Sequence, residues 1–384
     1  MNRHVRIFDT TLRDGEQTPG VHLSADQKCE IATKLEAFGV ATIEAGFPAS
    51  SPGDAEAVAR VARTVQDCEV AALARCRDAD IDAVRHALSD AAAPVVHIVL
   101  GVSDVHLEAK LNISRADALR RIERSVVRAA QDGAVVQFSA EDATRADRVF
   151  LRQCVETAVC AGAMRVNVPD TVGFAVPEEY GAMVREVVRF VSDEVVVSAH
   201  CHDDLGMATA NTVAAVRNGA RQVEVAVNGI GERAGNAATE EVAAVLQVKA
   251  IAETGVRLQT VQALSGCVAE ATGVPVAPNH PVVGCHAFAH SSGIHQDGIL
   301  KNRATYEFLS PSDVGVDDHR FVLTARSGRS AVAHCVRGLG FDPNREEMDG
   351  VYRRFLSAAD AQMGAVPQSA IAAIASEVCE PVSS

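Results

Sequence analysis

The chain has 384 residues, 48% of them hydrophobic, enough for one large domain or a large domain with a smaller companion. Acidic residues outnumber basic ones, 50 against 36, for a formal charge of −14, which argues against nucleic acid or an anionic membrane as the main partner. No apolar run approaches the roughly 20 residues of a membrane span, and the N-terminal "MNRHVRIFD" lacks the apolar core of a signal peptide, so a cytoplasmic protein is expected.

From the N-terminus to about residue 250, short β-rich runs alternate with longer amphipathic ones. Eight candidate strands follow in order: "HVRIFD", "ATIEAGF", "EVAALAR", "PVVHIVLG", "AVVQFSAE", "AMRVNVPD", "EVVVSAHCH" and "RQVEVAVNG". Between them, "SADQKCEIATKLEAFG", "SRADALRRIERSVVRAAQDG" and "ANTVAAVRNG" carry helical spacing and close on a glycine suited to a C-cap. Strand and helix repeated eight times predict a (β/α)8 TIM barrel over residues 1–274. A doubly wound open sheet is the rival, but no GxGxxG or P-loop follows the first strand. Beyond residue 255, helical "TVQALSGCVAEATG" leads into Pro-rich "VPVAPNHPVVG", and residues 275–384 read as a linker and a smaller, mainly helical region. The ten cysteines are scattered without CxxC pairing, which predicts reduced, mostly buried thiols and no thiolate zinc site.

Catalytic groups of a parallel barrel sit where the strands end, and the unusual polar residues cluster there. Arg13, Asp14, Glu16 and Gln17 follow strand one, strand two carries Glu44, strand four His97, strand five Ser139 and Glu141. Asp170 and Thr171 close strand six, "HCHDD" strand seven and "NGIGERAGN" strand eight. Alternate strand residues share a face, so His200 and His202 present two imidazoles together while Cys201 points away. Two neutral imidazoles and a carboxylate, with Asp14 at the same barrel mouth, suit a divalent cation. The same parity puts Gln137, Ser139 and Glu141 on one face, likewise Asn167, Pro169 and Thr171, and His97, Val99 and Gly101. The Asp203-Asp204 pair reads as a cap for the next helix.

Taken together, "FDTTLRDGEQ", "EAGFPASSPGD", "FSAEDATR", "NVPDTVG", "HCHDDLGMATAN", "NGIGERAGN" and "AFAHSSGIHQDGILKN" resemble the 2-isopropylmalate synthase family, within the metal-dependent barrel group that includes homocitrate and citramalate synthases. The similarity runs from about residue 5 to 355. It implies a Claisen-type condensation of acetyl-CoA with a 2-oxo acid, followed by thioester hydrolysis. It implies a divalent metal (Mg, Mn, Co or Zn) held by Asp14, His200, His202 and Asn236, polarising the ketone as a Lewis acid, with Arg13 stabilising the developing alkoxide. By position it puts His97, Ser139 and Thr171 in the oxo-acid pocket, Leu73, Val99 and Pro169 beside the acceptor's side chain, and Glu44 and Glu141 as polar supports near the metal. In the second region His295 and Tyr306 match residues near the acetyl-CoA methyl group, with His295 as acid/base participant. A homodimer with shared sites is implied too.

This chain departs from the family in three places. Leucine-pathway members continue into a C-terminal leucine-binding domain, whereas this chain stops at residue 384, so leucine regulation by that route is not expected. "HIVLGVSD" places Val99 and Gly101-Val102 where the family tends to carry an aromatic and a small-Thr pair. Arg77 in "RCRDAD" lies near a position where homocitrate synthases contact a distal carboxylate. Homocitrate synthase, or a phosphonomethylmalate- or phosphinomethylmalate-type synthase, is therefore the alternative enzyme. A non-catalytic metal-binding relative is the alternative of another class, and it should have lost ligands. Barrel-group lyases acting on acyl-CoA carry a cysteine in the loop after strand eight, and "NGIGERAGN" has none. The basic Lys301, Arg303, Arg326 and Arg329 are candidates for meeting anionic coenzyme A.

Overall fold

Hydrophobic alternation resolves into eight parallel strands in the computed structural model, which describes residues 4–361 and 363–379. The strands β1 (Arg6–Asp9), β2 (Thr42–Glu44), β3 (Glu69–Arg75), β4 (Pro94–Gly101), β5 (Val135–Glu141), β6 (Arg165–Asp170), β7 (Val196–Cys201) and β8 (Gln222–Val225) form a closed barrel in chain order, β8 pairing back onto β1. Around it run α1 (Ala25–Phe38), α2 (Pro52–Thr64), α3 (Asp78–Ala87), α4 (Arg115–Ala129), α5 (Arg148–Cys160), α6 (Pro177–Phe190), α7 (Ala208–Arg217), α8 (Thr239–Val248) and α9 (Val261–Thr272).

Local chemistry sets the helix ends. Ser24 and Gln27 form a reciprocal capping box at the start of α1, and Ser114 and Asp117 do so for α4. Helix α1 closes at Gly39, whose φ of 98° and whose missing Cβ, which would lie 2.8 Å from the Gly255 carbonyl oxygen, both require glycine. The expected glycine closure of α4 does not occur: α4 stops at Ala129 and Gly133 ends a separate 3-10 turn, Gln131–Gly133.

Strand parity divides the molecule into two chemistries. Outward-facing Ile7, Ile43, Val70, Ile98, Phe138, Val166, Val168, Val197 and Val223 are fully or almost fully buried, as are Ile31, Leu35, Val58, Val61, Ile81, Val84, Ile122 and Val126 on the surrounding helices. Each such side chain contributes roughly 1.5–3 kcal/mol of transfer free energy, so this annular layer is the core that holds the barrel. The interior instead sets many polar side chains beside a small apolar cluster of Phe8, Ala71 and Val95. Ser139 pairs in register with Asn167, Asn167 with Ser198 and Ser198 with Gln222. Lower down, Arg165 makes a two-pronged pair with Glu69 (2.8 and 2.6 Å), which also accepts from Arg6 and Thr42 at 2.6 Å. Such saturation is what lets charges lie inside a barrel without an unpaired cost.

The chain divides into two units between Val276 and Ala277. The second contains a two-stranded parallel sheet of β9 (Ala289–His290) and β10 (Arg320–Phe321), with α10 (Gly293–Lys301), α11 (Arg329–Gly338), α12 (Arg345–Asp360) and α13 (Gln368–Ser376). Val332, Val336, Val351, Phe355, Ile371 and Ala375 form its core. Among the described residues no helix is long and apolar enough to cross a membrane.

All ten cysteines are free, but only Cys154, Cys201 and Cys379 are buried, while Cys160 and Cys285 are exposed. The expectation of mostly buried thiols therefore fails: composition counts cysteines without saying which lie on a helix's outer face.

Candidate active site and metal centre

A cavity of about 390 Å³ opens at the C-terminal ends of the strands, lined by Arg13, Asp14, Leu73, His97, Val99, Ser139, Glu141, Pro169, Thr171, His200 and His202 among others. Inward parity on β3 to β7 puts Leu73, His97, Val99, Ser139, Glu141, Pro169 and His200 there, and Thr171 and His202 follow directly where β6 and β7 end, while Arg13 and Asp14 come from the turn after β1. Glu44, one residue wide of the lining, lies fully buried behind Arg13.

Three donor atoms converge at the mouth. The Nε2 atoms of His200 and His202 lie 3.2 Å apart, and each is 3.9 Å from Asp14 Oδ2. Two ligands about 2.1 Å from one ion and at right angles stand about 3.0 Å apart, so the spacing suits a shared cation. All three residues are buried. Asn236 adjoins them: its Nδ2 donates to Asp14 Oδ1 (2.9 Å) and to the Ile230 carbonyl (3.0 Å), which fixes the amide's orientation. Its Oδ1 is left buried with no protein partner, as is Nδ1 of each histidine by strict hydrogen-bond geometry. A buried, unpartnered amide oxygen beside a carboxylate and two imidazoles fits a cation and is costly without one.

Electrostatics keep Asp14 and His202 in the forms that coordinate a cation. Burial raises the proton affinity of Asp14, but Arg13 and the two histidines outweigh it and hold the carboxyl well below its usual range. Burial, then the neighbouring His200, pushes His202 down to about 4, which keeps its imidazole neutral. Burial opposes the charging of His200, and Glu224 outweighs it, raising its pKa.

Glu224 is the residue that sequence reasoning passed over. Its Oε2 lies 3.3 Å from His200 Nδ1, an arrangement that leaves Nε2 free for a metal, and its Oε1 accepts from Gln137 (2.8 Å) and Ser198 (3.2 Å). The signal was present as strand parity with Gln222, but "RQVEVAVNG" looks like an ordinary strand.

"NGIGERAGN" is a scaffold for Asn236. Asn228, Gly229, Arg233 and Gly235 all have positive φ, and a Cβ on Gly231 would lie 2.1 Å from Asn236 Nδ2 and 2.9 Å from Asp14 Oδ1. On Gly235 it would lie 1.9 Å from the Gly229 carbonyl oxygen.

From Asp14 a chain of hydrogen bonds crosses the floor. Arg13 donates through Nη1 to Asp14 (2.6 Å) and through Nε to Glu44 (2.7 Å). Glu44 also accepts from Thr10 (2.7 Å) and contacts His97 Nδ1 at 2.5 Å. Because an ionised carboxylate only accepts, His97 donates from Nδ1, and Nε2 faces Ser139 Oγ at 2.6 Å; Asn167 donates to that oxygen at 2.8 Å.

Some expected residues sit differently. Glu141 lines the cavity, but its carboxylate is bound at 2.6 and 2.9 Å by Lys110. Of the two acids after His202, Asp203 caps α7 by accepting from the Ala208 amide (2.8 Å), while Asp204 pairs with Arg233. Arg77 is exposed but lines the cavity. In the second unit the His295 and Tyr306 rings stack with centroids 3.9 Å apart. Lys301, Arg303 and Arg329 there pair with Asp297, Asp318 and Asp349, which leaves less free positive charge than the sequence suggested.

A closed parallel barrel with Asp, two His and an orphaned Asn oxygen at its mouth defines the class: a (β/α)8 protein with a candidate metal site at the ends of its strands. The HMGL-like family model matches residues 4–268, and the homocitrate synthase post-HMGL domain-like model residues 282–363. The 2-isopropylmalate synthase of Listeria monocytogenes serotype 4a is 48% identical over 94% of this chain and 71% of its own length. That of Staphylococcus aureus strain Newman is 48% identical over 94% and 72%. Among solved structures, hydroxymethylglutaryl-CoA lyase from Pseudomonas aeruginosa superposes with a TM-score of 0.63 at 23% identity, covering 72% of this chain and 95% of that one. The HMG-CoA lyase of Brucella melitensis does so at 0.60 and 22%, covering 71% and 99%. This chain belongs to the HMGL-like family and, within it, to the 2-isopropylmalate synthases.

Proposed function

We propose that the protein is a cytoplasmic acyltransferase that condenses acetyl-CoA with 2-oxoisovalerate and hydrolyses the thioester to give 2-isopropylmalate and free coenzyme A. The 48% identity to synthases of that name supports the reaction, and the convergence of Asp14, His200, His202 and the unpartnered Asn236 oxygen is the observation that carries the site.

When bound, a divalent cation (Mg, Mn, Co or Zn) supplies Lewis-acid polarisation of the acceptor's carbonyl. Asp14, His200, His202 and Asn236 would hold it. Arg13, committed through Nε and Nη1, keeps a second terminal nitrogen for the alkoxide oxygen that develops as the new carbon–carbon bond forms. Glu44 holds that guanidinium in place. Ser139, Thr171 and His97 orient the acceptor's polar end, while Leu73, Val99 and Pro169 line the wall for an aliphatic side chain. His295, stacked on Tyr306, is the group we assign to proton transfer at the acetyl methyl carbon, with Glu141 as a supporting carboxylate. His295 and Tyr306 are exposed, and the reading includes a homodimer with shared sites.

The test is thiol release from acetyl-CoA with a panel of 2-oxo acids, with product mass determined and chelator as control. Chelator-sensitive release, greatest with 2-oxoisovalerate, is expected. No release with any acceptor sinks the synthase reading and revives a non-catalytic relative.

A further inference from the structure

We propose that Asp142 is a positioning residue for the active-site cavity, acting through its own backbone amide on the hydroxyl of Thr171, a role that rests on the reading above in which Thr171 meets a 2-oxo acid.

The segment "FSAEDATR" leaves β5 in a strained turn. Asp142 has φ 63° and ψ 36°, the left-handed region that residues other than glycine adopt at a cost, although asparagine and aspartate bear it best. Such outliers persist where the surroundings over-determine them, and these surroundings do. The Asp142 carboxylate is fully buried, accepts from Ser103 Oγ at 2.5 Å and takes a fork from Arg145, whose Nε lies 2.8 Å from Oδ1 and whose Nη2 lies 2.8 Å from Oδ2. Ser103 follows β4 and also accepts from the His106 amide at 3.2 Å. The carboxylate thereby ties the turn after β5 to the π-helical turn His106–Leu111, whose Lys110 and Leu111 line the cavity.

The strained turn serves its other neighbour, β6. The β5–β6 ladder is in register up to Ser139 and Asn167. Beyond it, Asp142 donates its N–H not to a backbone carbonyl but to Thr171 Oγ1, at 2.9 Å. Two residues on, Thr144 Oγ1 donates to Asp170 Oδ1 at 2.9 Å, so the turn grips two successive residues where β6 ends. The Asp142 amide takes one lone pair of the Thr171 oxygen and fixes the side chain's rotamer. Among the described residues no protein group accepts the Thr171 hydroxyl proton, and Thr171 lines the cavity. That proton is left for an anionic oxygen in the cavity, which is what the carboxylate of a 2-oxo acid supplies.

Full-length, metal-loaded wild type, D142G, T171V and the double variant would be titrated calorimetrically with 2-oxoisovalerate, pyruvate and 2-oxoglutarate, with D142N as the conservative variant. Glycine keeps the amide and accepts the left-handed backbone but loses the carboxylate that holds it. T171V is expected to weaken the tightest-bound acid about tenfold, as befits a hydrogen bond to a charged group. D142G should reproduce most of that loss and D142N should recover most of it. On the T171V background D142G should cost nothing further, because Asp142 acts through the hydroxyl. An affinity within twofold of wild type in T171V or D142G, or an equal loss from D142G in both backgrounds, overturns the role. Should D142G not fold, S103A removes one anchor of the same carboxylate and is judged in the same cycle by the same outcomes. Binding of none of the three acids by the wild type sinks the underlying reading, whereas an additive cycle on a wild type that binds them sinks only the role of Asp142.

Discussion

Glu44 and His97 share a 2.5 Å contact in a place where both are fully buried, and through it the His97–Ser139 side of the cavity is joined to Arg13 and Asp14. Glu44 receives Arg13 and Thr10 on its other oxygen, so one side chain positions the residues on both sides of it.

Replacing Glu44 by Gln should therefore cost more than a surface charge would. Loss of a buried, charge-assisted acceptor for Arg13 is expected to destabilise the barrel by about 2–4 kcal/mol, and to lower kcat at least a hundredfold because Arg13 loses its anchor. Urea unfolding and thiol release measure the two effects. Retention of full kcat would refute the positioning role.

The same residue gives a pH dependence of defined sign. Burial raises the Glu44 pKa, but Arg13 and His97 outweigh it and take it down to about 2. A depressed folded-state pKa contributes stability that is present above the unfolded value of 4.5 and is lost as pH falls toward 2. Between those values wild-type stability should drop more steeply than that of E44Q, measured by denaturant titration at successive pH. Parallel curves would show that Glu44 does not titrate as the contacts require.

At the metal centre, His202→Ala should remove bound metal and turnover while circular dichroism stays unchanged, since His202 lies at the mouth and not in the annular core. Global unfolding without metal loss would count against the assignment.

Gly231→Ala tests the loop that carries Asn236. A methyl 2.1 Å from the Asn236 amide must displace it, and metal affinity should fall 10- to 100-fold, the order seen when a ligand's support is lost. Equilibrium dialysis would detect this. Unchanged affinity would mean that Asn236 is not a ligand.

Thiol chemistry should be uneven. Burial pushes the Cys76 and Cys201 thiols up to about 12, whereas Cys160 is exposed. Iodoacetamide at pH 8 should label Cys160 in the native protein and spare Cys76 even though Cys76 lines the cavity. Peptide mass mapping decides it.

Much of this was legible because two periodicities carry it. Inward parity on β4 to β7 named many of the lining residues, and His200 and His202 announced themselves two apart where β7 ends. Helical spacing marked the segments between the strands. What stayed hidden depends on contacts between distant strands: Glu224 matters only because β8 sits beside β7, and Gly231 only because Asn236 folds back over Asp14. The ion pairs of Lys301, Arg303 and Arg329 were equally invisible, since a basic run in sequence says nothing of the acids it meets.

The glycine loop after β8 divides the mouth into a part that tolerates no added atoms and a part that does. Gly231 and Gly235 leave no room for a side chain, and Asp14, His200 and His202 are fixed by what they converge on. Leu73, Arg77, Val99 and Arg121 line the cavity on its β3–β4 side, away from that loop. Within one inherited chemistry, then, the natural place for selectivity to drift, and for an engineer to look first, is the β3–β4 side.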